Sequence, residues 1–197
     1  KKDSEYNPFF STTLTAFNEL LGGRMPHIRD AYRLTSSVSL APINATLGVA
    51  GLPQSGTGQT SLMTGVNAAR HIGKHFGPYP YSSLKPVIQE RNMFHRLHSM
   101  GKKVFYANAF PRQFFEHIQS TKTRTTAITM SWMASGFALN DHHALAAGNA
   151  LSPDITSGRW SALGYPDMPL LTTRQAGRRL VEFTKQYDFV LYEYYFT

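Results

Sequence analysis

Cysteine is absent from the 197 residues of this chain. Its absence excludes disulfide scaffolds, thiolate zinc sites and cysteine nucleophiles. Long apolar runs are absent as well, since no stretch approaches the roughly 20 consecutive apolar residues that a membrane helix needs. The polar start, Lys1 to Glu5, is followed by no signal-peptide core. We therefore expect a cytoplasmic protein without a membrane partner.

Acidic residues are few, because 12 Asp and Glu stand against 20 Lys and Arg and the net charge is +8. Such an excess is typical of proteins that bind nucleic acid or another polyanion. The basic residues are scattered, however, and no RNP or helix-turn-helix pattern accompanies them. A solvated surface that attracts small anions fits this pattern better, so nucleic acid is not the partner that we expect.

The order of apolar segments predicts an α/β fold, with residues 1–197 as one domain. Residues 103–110 and 189–196 are apolar and rich in aromatic residues, which predicts buried strands. Helical periodicity lies between them and predicts a helix over 173–187. Strands that alternate with helices favour a mostly parallel sheet flanked by helices. Loop-rich sequence within approximately 111–170 predicts a small cap or insertion.

The segment from Gly51 to Gly65 carries the strongest chemical signal. Glycines at 51, 56 and 58 allow the backbone to approach a ligand closely. We predict a glycine-rich loop over 48–58 and then a helix that begins at Thr60. At a helix start, free N–H groups and the helix dipole favour an anion such as phosphate. Thr60 would then attack the phosphate or cap the helix.

Three other interpretations compete for this segment. A P-loop requires Lys before its final Ser or Thr, and Thr57 stands where that Lys would be. A hydrolase nucleophile elbow requires Gly-x-Ser-x-Gly, but Ser55 is flanked by Pro53 and Thr57. An ordinary glycine-rich turn with Thr60 as N-cap fits the spacing equally well, so the spacing alone leaves that interpretation open.

The run Leu-Pro-Gln-Ser-Gly-Thr-Gly-Gln-Thr at 52–60 resembles the nucleophile loop of cofactor-independent phosphoglycerate mutases, Leu-Pro-Glu-Gly-Gln-Met-Gly-Asn-Ser. It is still more similar to a bacterial branch of the same alkaline-phosphatase superfamily, the metalloenzyme-domain proteins. Further matching segments follow in the same order: 45–55, 64–68, 105–109, Asp-Ile-Thr at 154–156 and 189–197. The resemblance thus covers nearly the whole chain and implies an incomplete alkaline-phosphatase-like core.

The resemblance implies roles for four residues of the loop. Thr60 corresponds to the residue that accepts the phosphoryl group and ligates one of two divalent metal ions (Zn, Mn or Mg). Gln59 corresponds to a residue that holds a phosphate oxygen, and Gly58 and Ser61 would lie beside the substrate. A hydroxyl group is a poor nucleophile at neutral pH, and a bound metal ion lowers its pKa.

The other metal ligands of the superfamily have no counterpart in this chain. They come from an Asp-Gly after the first strand, from an Asp and a His after a later strand, and from an Asp-His-Gly. The chain also lacks an initiator methionine. We therefore expect a fragment without the N- and C-terminal ligand segments, and we expect it to be inactive alone.

The resulting functional prediction is metal-dependent phosphoryl transfer, by a phosphatase or a phosphomutase, through a phosphothreonine intermediate. The substrate would be a small phosphorylated molecule. The alternative is a non-enzymatic basic fragment that binds anions or nucleic acid. A steep salt dependence of DNA binding would favour that alternative.

Other residues that attract attention have simpler explanations. Asp141-His142 resembles part of a metal-ligand motif, but a polar helix start explains it better. His71 and His75 have the spacing of zinc ligands on a helix, although Gly73 between them predicts a helix end. Trp132 and Trp160 are expected in the core rather than in a base-stacking surface. Three cations are candidates for substrate contact: Arg70, Lys74 and Arg112.

Overall fold

The structure is a computed structural model that describes residues 11–23, 32–34, 38–120 and 124–195. The chain divides into two compact units, residues 1–45 and residues 46–197. In the first unit, helix α1 (Thr15–Leu21) ends at Gly22, whose φ of 68° is left-handed. Strand β1 (Arg33–Leu34) pairs antiparallel with β2 (Ser39–Leu40).

A small parallel sheet lies at the centre of the second unit. Strand β3 (Val104–Tyr106) pairs in parallel with β4 (Phe189–Leu191), so that Tyr106 lies opposite Leu191. Beyond β3, Asn108 bridges Leu151 and Ala109 bridges Asn140, both in parallel. The chain is therefore an α/β protein with a small parallel sheet. Both bridging partners belong to the segment 111–170, so this segment adds backbone pairs to the sheet edge.

A capping box explains the start of the longest helix of the second unit. Thr172 accepts a hydrogen bond from the N–H of Gln175, whose side chain in turn accepts one from the Thr172 N–H. That helix confirms the prediction over 173–187. The helices of the second unit are α2 (Ser55–Thr64), α3 (Ala68–Ile72), α4 (Lys85–Arg91), α5 (Met93–Ser99), α6 (Arg112–Ile118), α7 (Ala127–Ala134), α8 (His142–Ala146) and α9 (Thr173–Gln186).

The prediction of a loop over 48–58 and a helix from Thr60 is wrong, because α2 already begins at Ser55. Gly56 explains this difference. A side-chain carbon on Gly56 would lie 2.1 Å from the carbonyl oxygen of Tyr79, so the glycine permits close backbone packing within a helix. The N–H of Thr57 donates to the Phe76 carbonyl at 2.9 Å and holds this first turn in place.

The core covers both faces of β3. Val104 and Tyr106 belong to one apolar cluster, whereas Phe105 belongs to a second on the opposite face. Burial on both faces is typical of parallel strands covered by helices. Trp132 lies in the first cluster and Trp160 in a third, and both are buried, which confirms the prediction that they are core residues. Within the described ranges, every helix is too short or too polar to cross a membrane.

Candidate functional site

Thr60 lies in the middle of α2, not at its start. Its relative exposure is 0%, and its hydroxyl donates to the carbonyl oxygen of Gly56 at 2.6 Å. Thr64, one turn later, makes the same kind of bond to the Thr60 carbonyl at 2.7 Å. The predicted placement of Thr60 at a helix N-terminus is therefore wrong, and its hydroxyl faces a backbone carbonyl instead of solvent.

The residues around Thr60 have different surroundings. Ser61 donates to the Thr57 carbonyl at 2.9 Å and accepts from the N–H of Ala68 at 3.0 Å, which joins α2 to α3. Gly58 has open space where a side chain would lie. Gln59 reaches another element, because its Nε2 donates to Glu193 Oε1 at 3.3 Å. The structure thus brings Gln59 to the region just after β4.

Glu193 is the centre of a polar group at the carboxyl ends of β3 and β4. We call Gln59, Tyr106, Asn108 and Glu193 the Glu193 cluster. The Tyr106 hydroxyl donates to Glu193 Oε2. Asn108 donates to the Glu193 carbonyl and accepts from its N–H, both at 2.8 Å. This reciprocal pair fixes the chain as it leaves both strands, at the sheet edge where α/β proteins bind ligands.

The electrostatics of the Glu193 cluster follow from its burial. Burial raises the pKa of Glu193, and the hydrogen bond from Tyr106 partly lowers it again. Burial, followed by the charge of Glu193, raises the pKa of Tyr106 well above its ordinary value. Gln59 Oε1 is buried and has no hydrogen-bond partner in the described chain. The cluster therefore combines a carboxyl group that ionises reluctantly with an amide oxygen that can accept a further hydrogen bond.

The described residues do not by themselves fit a two-metal centre at Thr60. Such a centre needs several carboxylate and imidazole ligands, and Glu193 supplies one carboxylate near Gln59. Among the described residues, the group whose ligand atoms lie close enough to share an ion is Asp141, His142 and His143, within 4.8 Å of one another. That group does not contain Thr60, so the predicted pair of metal ions would need ligands from elsewhere.

The Asp141 group begins a helix, as predicted. Asp141 Oδ1 accepts from the N–H of Ala144 at 2.9 Å and caps α8. The predicted helix end between His71 and His75 is confirmed as well. Helix α3 ends at Ile72, and Gly73 has a left-handed φ of 75°. These two histidines therefore do not share a helix.

The three candidate cations have distinct surroundings. The Lys74 ammonium lies 5.2 Å from the ring centre of Tyr81, and Arg112 pairs with Glu116 at 3.1 Å on an exposed face. Arg70 is exposed on α3. The cation–π contact and the surface ion pair give Lys74 and Arg112 structural partners.

A buried aspartate, Asp154, organises a loop that is hydrogen-bonded to the chain after β4. Its Oδ1 accepts from the N–H of Ser157 and its Oδ2 from the N–H of Arg159, both at 3.0 Å. The Ser152 hydroxyl donates to the same carboxylate, and Tyr192, just after β4, donates to the Ser152 carbonyl at 2.7 Å. The resemblance includes the segment Asp-Ile-Thr at 154–156 but implies no role for Asp154, and no local sequence pattern indicates the hydrogen bonds that this carboxylate accepts.

No protein-family model matches this chain, and neither a curated protein nor a solved structure matches it. The assignment to the alkaline-phosphatase superfamily therefore stays a prediction, which rests on the sequence segments quoted above.

Proposed function

We propose that this chain contributes the phosphoryl-acceptor segment of a metal-dependent phosphatase or phosphomutase, with Thr60 as the acceptor. The contact between Gln59 and Glu193, 134 residues apart, carries this proposal. It brings the glycine-rich segment to the carboxyl edge of a parallel strand pair, where α/β proteins place their ligands. We propose with it a more specific fold, namely an incomplete alkaline-phosphatase-like core with a mostly parallel sheet.

The proposal requires the hydroxyl of Thr60 to leave the carbonyl of Gly56. The first turn of α2 contains Gly56 and Gly58, and no side chain caps its N-terminal N–H groups. The intrinsic helix propensity of glycine is about 1 kcal/mol less favourable than that of alanine, and at Gly58 no packing contact offsets this cost. Unwinding this turn frees the hydroxyl and creates a new helix start, with unpaired N–H groups that favour phosphate. The same unwinding breaks the hydrogen bond from the Thr57 N–H to the Phe76 carbonyl. Because that loss costs free energy, the wound turn is the resting state and the unwound turn is the reactive one.

In the transfer step, the Thr60 oxygen forms a bond to phosphorus and the ester oxygen leaves. The hydroxyl proton passes to solvent, and the leaving oxygen takes up a proton. A phosphatase then passes the phosphoryl group to water, whereas a phosphomutase passes it to a second substrate oxygen. The metal ions, bound with ligands from other parts of the full-length protein, would lower the pKa of the hydroxyl.

The test uses the full-length protein and 4-nitrophenyl phosphate with Mn²⁺, Mg²⁺ or Zn²⁺. Thr60→Ala is expected to lose activity by on the order of a thousandfold or more, since nucleophile deletions are that severe. Thr60→Ser keeps a hydroxyl and should retain part of the activity. Thr64→Ala is the matched control, because Thr64 makes the same hydroxyl-to-carbonyl bond in the same helix.

Two results would contradict the proposal. One is equal activity, per folded protein, in Thr60→Ala and Thr64→Ala. The other is the absence of phosphothreonine at position 60 when turnover is quenched with acid and the peptide is analysed by mass spectrometry. Inactive protein that instead bound duplex DNA with a steep salt dependence would favour the non-enzymatic alternative.

A further inference from the structure

A cavity of about 600 Å³ lies where the chain leaves β3 and β4, with Ala109 and Tyr195 in its lining. This volume is within the range of small-molecule binding pockets. One wall comes from the chain after β3 and from α6, another from the Asp154 loop, and the rim from the chain after β4. The residues that define the cavity are Phe110, Phe114, Asp154, Trp160, Leu163 and Tyr195.

Buried contacts fix the aromatic residues behind the cavity in place. Phe110 and Trp160 are 4% and 2% exposed, and the ring of Phe110 lies 4.5 Å from that of Phe114 between centroids. The indole N–H of Trp160 donates to the Ser152 hydroxyl at 2.8 Å. Gln113 of α6 donates to the Leu163 carbonyl at 2.9 Å and ties the two walls together. Phe114, which is partly buried, and Tyr195, which is exposed, supply the accessible aromatic surface of the cavity. Such surface favours a planar aromatic ligand by stacking and edge-to-face contacts.

The loop behind the cavity is held in an unusual conformation. Ile155 and Ser157 have φ values of 60° and 64°, which are uncommon for residues other than glycine. The hydrogen bonds to the Asp154 carboxylate hold this conformation. Residues held in such conformations cluster at ligand sites. Because both carboxylate oxygens already accept from backbone N–H groups, Asp154 serves the loop and does not select a cationic ligand.

Tyr195 adds a phenol to the lining of the cavity. Burial, followed by the charge of Glu193, raises the pKa of Tyr195 to about 12. The phenol is therefore protonated at neutral pH and can donate a hydrogen bond to a ligand oxygen. Tyr195 follows Glu193 by two residues, and Ala109, which also lines the cavity, directly follows Asn108, so both chain segments connect the cavity to the Glu193 cluster.

We infer that this cavity binds a planar aromatic group, whose attached oxygen lies toward Tyr195 and the Glu193 cluster. That the cavity holds the leaving group of a phosphate ester rests on the proposed function. That the cavity binds an aromatic group does not depend on the proposed function. The substrate class is then an aryl phosphate or another phosphate ester that carries an aromatic ring. Substrates with a small aliphatic alcohol leave the aromatic walls without contact.

Binding is tested directly by titrating the full-length protein with 2-naphthol and following tryptophan fluorescence. Phe114→Ala removes one wall, and Leu163→Ala removes an exposed part of the rim that contributes little to the core. Each is expected to weaken binding, Phe114→Ala by about tenfold, which is the scale of one aromatic contact. Phe115→Ala is the matched control, since Phe115 is the next residue of α6 and packs on the same core cluster as Phe114 but does not line the cavity.

Turnover separates this inference from the proposed function. The ratio of kcat/KM for 2-naphthyl phosphate to that for 2-glycerophosphate should fall in Phe114→Ala and stay unchanged in Phe115→Ala. Naphthol binding without any phosphate hydrolysis would support the cavity and contradict the proposed function. Thr60-dependent hydrolysis without naphthol binding, or with equal effects of Phe114→Ala and Phe115→Ala, would overturn the cavity and leave the proposed function standing.

Discussion

Tyr106 donates a hydrogen bond to Glu193, although 87 residues separate them along the chain. The strand register explains the contact. Tyr106 lies opposite Leu191 in the parallel pair, and residues two apart in an extended chain project to the same face. The Glu193 side chain therefore projects to the same face of the sheet as Tyr106. Burial on that face raises the pKa of both side chains.

Glu193 is expected to make stability depend on pH. Burial raises its pKa in the folded chain above the ordinary value of 4.5, so the folded chain binds the proton more tightly than the unfolded chain. The free energy of unfolding then falls as pH rises from the ordinary value through the raised pKa. Glu193→Gln cannot ionise and should lose this decline. Urea unfolding at pH values on both sides of that window measures it.

The matched control for this measurement is Glu116→Gln. The Glu116 side chain is 61% exposed on α6 and pairs with Arg112 across one helical turn. Its substitution should leave the pH slope unchanged, because exposed pairs contribute little to stability. If Glu193→Gln had the same pH slope as the unsubstituted chain, the raised pKa would be contradicted.

Tyr106→Phe is expected to raise the pKa of Glu193 further. The tyrosine hydroxyl stabilises the carboxylate form by donating to it, and it is the influence that lowers this pKa. Phenylalanine keeps the ring in the core and removes the donor alone. A carbon-13 NMR titration of the glutamate carboxyl groups measures the change. An unchanged or lower pKa would show that the hydrogen bond does not control the ionisation.

The sequence predicted the parts of the fold that depend on local patterns. The helix over 173–187 was predictable because its apolar periodicity is coupled to local capping by Thr172 and Gln175. The runs 103–110 and 189–196 contain β3 and β4 because buried parallel strands are continuously apolar. In both cases the deciding interactions lie within a few residues or within one strand.

The candidate site was less predictable because long-range contacts create it. Glu193 lies in an aromatic run whose pattern predicts strand, and its importance appears only once the register places it beside Tyr106. Gly56 fits a loop by composition, yet it packs against the backbone of Tyr79 inside a helix. No spacing within the segment 51–65 could reveal that packing.

Asp154→Asn is expected to destabilise the loop beside the cavity. The carboxylate accepts from the N–H groups of Ser157 and Arg159, and an amide replaces one of these acceptors with a donor. Loss of a hydrogen bond to a buried charged group costs about 1.5–3 kcal/mol. Urea unfolding measures the loss, and Asp167→Asn on an exposed loop is the control. If Asp154→Asn and Asp167→Asn both changed the free energy of unfolding only slightly, Asp154 would not be the residue that holds this loop.

The two glycines in the first turn of α2 should respond to alanine in opposite directions. At Gly56, the added carbon would meet the Tyr79 carbonyl oxygen at 2.1 Å, and backbone atoms cannot easily move away. Gly56→Ala is therefore expected to lower the free energy of unfolding by about 1–3 kcal/mol or more. Gly58 has open space around the same position, so Gly58→Ala should stabilise the helix by about 0.5–1 kcal/mol.

This pair of variants also distinguishes the helix from the loop that the composition suggests. In a loop with positive φ at position 58, alanine would be strained and would destabilise the chain. In the helix, alanine is favoured, so the sign of the effect of Gly58→Ala on urea unfolding decides between them. A helix that Gly58→Ala stabilises should also unwind its first turn less often. If the Thr60 hydroxyl is released by that unwinding, the same variant should be more stable and less active in phosphate hydrolysis.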